Sequence, residues 1–270
     1  MIKRTFSTLF LWLTIGGLLY FFRAPAGALL ILLLAAASQH ELYKMLEKSG
    51  HQPLRKTGLL LGILYLAAAY LMPDFDGLAL GVIIIAAASL FLKVTDRIGT
   101  LISTLSGFIL IPFMLHFFIR ILHLSADQTT GLVLAFWVVV LVKFADIGAY
   151  LTGTFIGKTK LAPNLSPGKT WEGACGGLVL SALVSANWIW FFRDLDYFPS
   201  NLTPAIAALI AIPVAAVSIV SDLLESAFKR KAGVKDSGNT IPGIGGAYDL
   251  TDSLTLSAPL AYYFLLILIS

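Results

Sequence analysis

Nine apolar stretches follow one another along this chain with only short polar breaks, at residues 6–22, 25–46, 57–73, 77–94, 99–122, 129–151, 171–192, 202–228 and 244–269. A bilayer core takes roughly 20 apolar residues of α-helix to cross. Inside lipid every backbone N–H and C=O must be paired within its own segment, so runs of this length and composition are helices. The expectation is an all-α, polytopic integral membrane protein with about nine transmembrane helices. Only 13% of the 270 residues are charged and 58% are hydrophobic, against about 25% charged in soluble domains. The short breaks leave no room for a separate soluble domain. The first stretch follows MIKR and precedes RAPAGA, a pattern shared with signal peptides. Another span begins at once with Pro25, well placed at a helix start, so a retained helix is expected. The single cysteine, Cys175, excludes an internal disulfide. Its setting in GACGG predicts a packing role.

Charge orients the spans. With the N-terminus set in the cytoplasm and the spans alternating, the inside segments hold Lys3, Arg4, Lys44, Lys48, Arg55, Lys56, Lys93, Arg97, Lys158, Lys160, Lys169, Lys229, Arg230, Lys231 and Lys235. These are fifteen of the nineteen basic residues. The outside segments hold Arg23, Arg120 and Arg193, and Lys143 lies within a span. Such a bias satisfies the positive-inside rule, and an odd span count puts the C-terminus outside. The sequence divides into residues 1–125, helices expected to serve lipid access or subunit contact, and 126–270, helices with two cytoplasmic loops that are expected to carry the chemistry.

Acids within spans concentrate in the second division: Asp146, Glu172, Asp222, Glu225, Asp249 and Asp252, while the N-terminal spans carry almost none. At a helix centre each would cost about 2.5–3.5 kcal/mol, and less near the interface. Acids persist in such places when they pair, bind a cation or move protons. Asp222, Ser226 and Lys229 lie at i, i+4 and i+7, on one helix face. Asp249 and Asp252 (or Ser253) form a similar set in the last span. Two carboxylates brought close repel unless they share a proton or a cation. Oxygen donors without His or Cys suit a hard ion such as Mg²⁺. The bland alternative is ion pairing at a wet interface, which suits Glu225 (with Lys229), Glu172 (with adjacent lysines) and Asp146 (with Lys143) better than Asp222 or Asp249.

Two loops supply the complementary chemistry: GKTKLAPNLSPGKTWEG, from Gly157 to Gly173, and KRKAGVKDSGNTIPGIGG, from Lys229 to Gly246. Both expose lysines, hydroxyls and glycine-rich backbone of the kind that binds phosphate. The first has GKT but lacks the earlier glycine of G-x-x-x-x-G-K-[ST], so it is not a Walker A loop.

The stretch from Ser226 to Asp252, SAFKRKAGVKDSGNTIPGIGGAYDLTD, resembles the signature of the phosphatidate cytidylyltransferases (CDP-diacylglycerol synthases). That signature reads S-x-x-K-R-x-x-x-x-K-D, a spacer, then P-G-H-G-G-x-x-D-R-x-D. It is matched at Ser226, Lys229, Arg230, Lys235, Asp236, Pro242, Gly243, Gly245, Gly246, Asp249 and Asp252. The block ADIGAYLTGTFIGKTKLAPNLSPGKTWEG is similar to a second motif of the same family. Ile244 and Leu250 stand where the family has histidine and arginine. Those side chains are therefore dispensable here, or another cation replaces the arginine.

The resemblance implies that CTP and phosphatidic acid give CDP-diacylglycerol and pyrophosphate with Mg²⁺, a second cation being left open. With the helix-face reading of Asp222, it assigns catalytic roles to Asp222, Asp249, Lys229 and Lys235. Substrate contacts fall to Ser166, Lys169, Thr170, Ser226, Arg230 and Asp236, and metal binding to Asp222, Asp249, Asp146 and Asp252. The partners are CTP and membrane phosphatidic acid, with no nucleic acid and with a homodimer left open. The setting is the inner (cytoplasmic) membrane, multi-pass, with the site facing the cytoplasm. A CTP-dependent polyprenol kinase would share the CTP site but need a base for its hydroxyl nucleophile. The D-G-x-x-A-R pattern of CDP-alcohol phosphotransferases is absent. A secondary transporter would predict paired broken helices in two related halves, whereas here the acids lie in one half.

Overall fold

A computed structural model of the chain describes the backbone of residues 2–75, 77, 79–81, 84, 97–195, 197–241 and 245–269, with side chains for the same residues except 2–13, 75 and 97. Nearly all of it is helical. The helices are α1 (Ile2–Lys48), α2 (Arg55–Leu71), α3 (Arg97–Phe108), α4 (Met114–Leu122), α5 (Gln128–Ile156), α6 (Trp171–Phe192), α7 (Pro204–Lys231) and α8 (Ala247–Ile269). A short antiparallel hairpin, β1 (Lys160–Ala162) and β2 (Ser166–Thr170), joins α5 to α6.

Six segments among the described residues are long and apolar enough to cross a membrane: Thr14–Lys48, Ile98–Leu122, Gln128–Ile156, Trp171–Leu195, Pro204–Lys231 and Ala247–Ile269. The protein is therefore a multi-pass, all-α membrane protein. The spans drawn at 6–22 and 25–46 meet in one element, α1, which is broken at Arg23 (φ 46°, ψ −125°). Pro25 follows two residues later; its ring and missing N–H disrupt the ladder there. The span drawn at 57–73 is α2, whose 17 residues make it about 25 Å long. The span drawn at 77–94 lies for the most part outside the described residues.

Contacts divide the chain into two units: Met1–Arg120 with Phe228–Thr251, and Ile121–Ala227 with Asp252–Ser270. The first unit is organised around Tyr43 of α1. A Cβ on Gly58 of α2 or Gly107 of α3 would collide with its ring, so both helices close onto one aromatic side chain. The Tyr43 hydroxyl donates to Thr104 O (2.8 Å), and Gln39 Nε2 donates to Tyr43 Oη (3.1 Å) and Gly58 O (3.0 Å).

In the second unit α5 and α6 pack through small residues. A Cβ on Gly177 would lie 2.6 Å from Ala145 O, and one on Gly148 would lie 2.9 Å from Gly176 O. Without a hydrophobic drive between helices in lipid, such close approach and interhelical hydrogen bonds hold them together. Ser181 Oγ donates to Leu141 O (2.8 Å), Trp137 Nε1 to Ser185 Oγ (3.1 Å), and Ser185 Oγ to Ala207 O (2.9 Å). Cys175 is exposed, contrary to its expected packing role. The facing turns are made by Gly173, Gly176 and Gly177, and helical periodicity points residue 175 away from them.

Candidate active site

The hairpin is held at its base by backbone and capping hydrogen bonds. Thr170, 4% exposed, is the N-cap of α6, and its Oγ1 accepts from Gly173 N (3.1 Å). Trp171 N donates to Thr159 O (2.9 Å). Glu172 accepts from Lys158 N (3.1 Å) and Thr159 N (3.1 Å). The sequence offered Glu172 adjacent lysines; it takes backbone N–H groups instead, because the chain turns back over the start of α6. Thr170→Val is expected to lower the melting temperature of the purified protein, with Thr170→Ser near wild type, since losing an N-cap side chain costs about 1 kcal/mol.

Above this base the hairpin offers Ser166 and Lys169 to a cavity of about 430 Å³. Thr170 lines it too, and from α5 and α7 come Asp146 and Asp222. Lys169 Nζ stands 2.5 Å from Asp222 Oδ2. Asp146 pairs with Lys143, one helical turn before it, at 3.6 Å, and Lys143 Nζ also donates to Ser253 Oγ (2.9 Å). The intrahelical partner expected for Asp146 is therefore present.

Asp222 also belongs to a carboxylate group. One oxygen each of Asp222, Glu225 and Asp252 lies within 4.8 Å of the others. Glu225 and Asp252 are buried, with Glu225 fully so. The Asp252 carbonyl accepts from Ser221 Oγ and from Thr255 Oγ1 (2.8 Å), which ties the start of this part of α8 to α7. Three carboxylates so close repel one another unless a cation is shared. An all-oxygen, anionic donor set of this kind fits a hard divalent ion such as Mg²⁺. Glu225 was assigned from sequence only an ion-pair role with Lys229. Its i+3 relation to Asp222 was the available signal that it shares that side of α7.

Of the other predicted residues, Lys229, Arg230, Lys235, Asp236 and Asp249 fall in the first unit and Ser226 in the second. Asp249 is the third residue of α8 and reaches back to Gly246 N (3.2 Å), half of a capping box. It also accepts from Ser237 N (3.1 Å) and from Lys229 Nζ (3.0 Å). Gly245, at φ +126°, sits where a side chain would be strained, and its backbone pairs with Ile241 in an isolated bridge. Arg230, Lys235 and Asp236 are exposed, while Ser226 is buried on α7. Pro242, Gly243 and Ile244 lie outside the described residues.

Sequence reasoning missed Glu41. It is 2% exposed on α1 and accepts from Ser237 Oγ (2.8 Å), Tyr248 N (3.0 Å) and Thr240 Oγ1. Gly238 and Gly246 pack so tightly on its carboxylate that a Cβ on either would collide with it. The signature loop is thus folded around a buried acid from a distant helix. An acid inside an apolar span was a visible signal, but only its partners reveal the role.

Comparison with known proteins places the chain in a family. The model of a cytidylyltransferase family matches residues 2–268. The chain belongs to that family. A phosphatidate cytidylyltransferase of Synechocystis sp. is 31% identical over 254 residues, covering 85% of this chain and 84% of the relative. That of Bacillus subtilis is 37% identical over 216 residues, 77% of this chain and 76% of the relative. A Haemophilus influenzae phosphatidate cytidylyltransferase is 43% identical over 156 residues, 57% of this chain, and there the chain spans about half (54%) of the relative's length. The resemblance carried by the two motifs is therefore borne out at the level of family. The described structure brings Asp146, Ser166, Lys169 and Thr170 of the second motif to one cavity together with Asp222, which lies outside both motifs.

Proposed function

We propose that this chain is a phosphatidate cytidylyltransferase, converting CTP and phosphatidate to CDP-diacylglycerol and pyrophosphate in phospholipid biosynthesis. The observation that carries this is the cavity where the hairpin's lysine and hydroxyls face the carboxylates of α5 and α7. Groups that donate hydrogen bonds to phosphate and carboxylates able to ligate a metal thereby line one space. The family match and the names of the relatives support the same reaction.

A phosphatidate oxygen forms a new bond to the α-phosphorus of CTP. The bond from that phosphorus to the β-phosphate oxygen breaks, and pyrophosphate leaves with the electron pair. The lipid phosphate is already ionised at neutral pH, so no general base is needed; catalysis is positioning and charge neutralisation. Lys169 and Ser166 engage phosphate oxygens, and Thr170 holds the hairpin that presents them. Lys229, Arg230 and Lys235 add positive charge for phosphate, with Ser226 and Asp236 as further contacts.

Mg²⁺ is the fitting cofactor; when bound it neutralises phosphate oxygens and favours the departing pyrophosphate. Asp222, Glu225 and Asp252 are the residues to hold it, with Asp146 beside Asp222. Asp249 is retained as a ligand on its motif position alone. The apolar runs support nine spans, and the positive-inside pattern supports a cytoplasmic N-terminus and a site opening to the cytoplasm from the inner membrane. There a soluble polyanion and a membrane-held lipid can meet.

Purified protein in detergent, given labelled CTP, phosphatidate and Mg²⁺, is expected to release CDP-diacylglycerol and pyrophosphate in equal amounts. A polyprenol in place of phosphatidate is expected to give no phosphorylated product. A monodisperse, folded preparation that makes no CDP-diacylglycerol overturns the assignment, and polyprenyl phosphate formation replaces it with the lipid-alcohol kinase.

A further inference from the structure

We propose that Lys169 is a displaceable internal cation: it holds Asp222 until a divalent ion takes that carboxylate, and it then turns to phosphate. This rests on the assignment of Asp222 as a metal ligand and goes beyond it, because it couples the loading of metal and nucleotide through one side chain.

Asp222, Glu225 and Asp252 present oxygens within 4.8 Å of one another, an arrangement that is unfavourable without positive charge nearby. Lys143 is engaged by Asp146 (3.6 Å) and Ser253 (2.9 Å). Lys169 stands on Asp222 itself, at 2.5 Å. Its Nζ is shielded from solvent and has no hydrogen-bond partner among the described residues beyond this ion pair. An ammonium carries three protons, so bonding capacity is left over, and the cavity it lines is bordered by Ser166 and Gly168.

The stem explains why the group can move while its loop does not. Thr170 caps α6 and fixes the backbone beside Lys169, whereas the lysine side chain has four flexible carbons and a compact, mobile charge. A divalent ion approaching Asp222 must displace the ammonium, so metal binding to the nucleotide-free protein is penalised. CTP phosphates offer the released ammonium a new partner and remove the penalty. Binding of metal and nucleotide is then mutually reinforcing, as linkage requires.

The test uses the full chain in detergent and Mn²⁺ alone as probe, with bound ion read from the loss of the free-ion electron paramagnetic resonance signal. Lys169→Met is expected to bind Mn²⁺ about five- to tenfold more tightly than wild type, the factor for losing one partly shielded ion pair. Lys169→Arg should stay near wild type, and Asp222→Asn should lose binding. A lysine with a merely structural role would weaken the site when removed, the opposite sign. If Lys169→Met binds no more tightly while Asp222→Asn loses binding, the displacement idea falls and the metal assignment stands. If Asp222→Asn binds as wild type does, both fall.

A second readout needs no variant. In wild-type protein, acylation of Lys169 by an amine-reactive reagent, followed by peptide mass spectrometry, should accelerate when Mn²⁺ is added. It should slow again when CTP is added as well. A labelling rate unmoved by Mn²⁺ overturns the proposal.

Discussion

Asp222→Asn is expected to reduce CDP-diacylglycerol formation by about a thousandfold, the scale seen when preorganised charge stabilisation at a reacting centre is removed. Asparagine keeps the shape and one carbonyl oxygen but loses the charge that both Lys169 and a divalent ion require. Asp222 is about a quarter exposed (27%) and the asparagine carbonyl can still accept from the Lys169 ammonium, so folding is affected little. Melting temperature and expression should therefore stay near wild type while turnover in the labelled-CTP assay vanishes. A variant retaining more than about a tenth of wild-type activity at saturating Mg²⁺ would sink the assignment, since loss of a charged ligand cannot be that mild. Asp249→Asn provides the contrast. Asp249 caps α8 and holds Ser237 and Lys229, so its loss of activity should be accompanied by a lower melting temperature.

Glu41→Ala is expected to have the largest effect on stability. The carboxylate is buried and accepts two hydroxyls and one backbone N–H. Truncation strands those donors next to a cavity, and each buried unsatisfied group costs about 1–3 kcal/mol. A total of about 3 kcal/mol or more should lower the midpoint of thermal aggregation in detergent by at least about 5 °C. Glu41→Gln keeps volume and one acceptor but turns an NH₂ toward the donors, so it should fall between wild type and alanine. Activity should decline in the same order, because Lys229 and Asp249 flank the loop that Glu41 organises. An alanine variant with unchanged melting behaviour would show that the loop is held by something other than this acid.

Much of the site was legible because its chemistry is expensive in its setting. Asp146, Asp222 and Asp252 stood out as acids in apolar helices, and Lys169 as a cation in a hydroxyl- and glycine-rich loop. Helical periodicity was sufficient to place Asp222 and Glu225 within one turn. It could not distinguish Glu225 as a member of the carboxylate group from Glu225 as a partner of Lys229, since both lie within reach along α7. Glu172 was misread for a related reason. Its nearest charges in sequence are lysines, but the hairpin folds two backbone N–H groups onto it, and backbone donors leave no mark in composition.

The sequence by itself determined the multi-pass helical class and the family. Lipid allows apolar runs of this length only one conformation, and ordered motif residues survive without knowledge of their neighbours. Only the tertiary structure decided which charge meets which. Lys169 reaches Asp222 across more than fifty residues, and Glu41 gathers Ser237, Thr240 and Tyr248 from the opposite end of the chain. These pairings depend on which helices pack and how closely, and that was set by details such as the glycines that admit Tyr43 and bring α5 against α6. A periodic pattern specifies the face a residue occupies on its own helix; the partner on that face is chosen by packing.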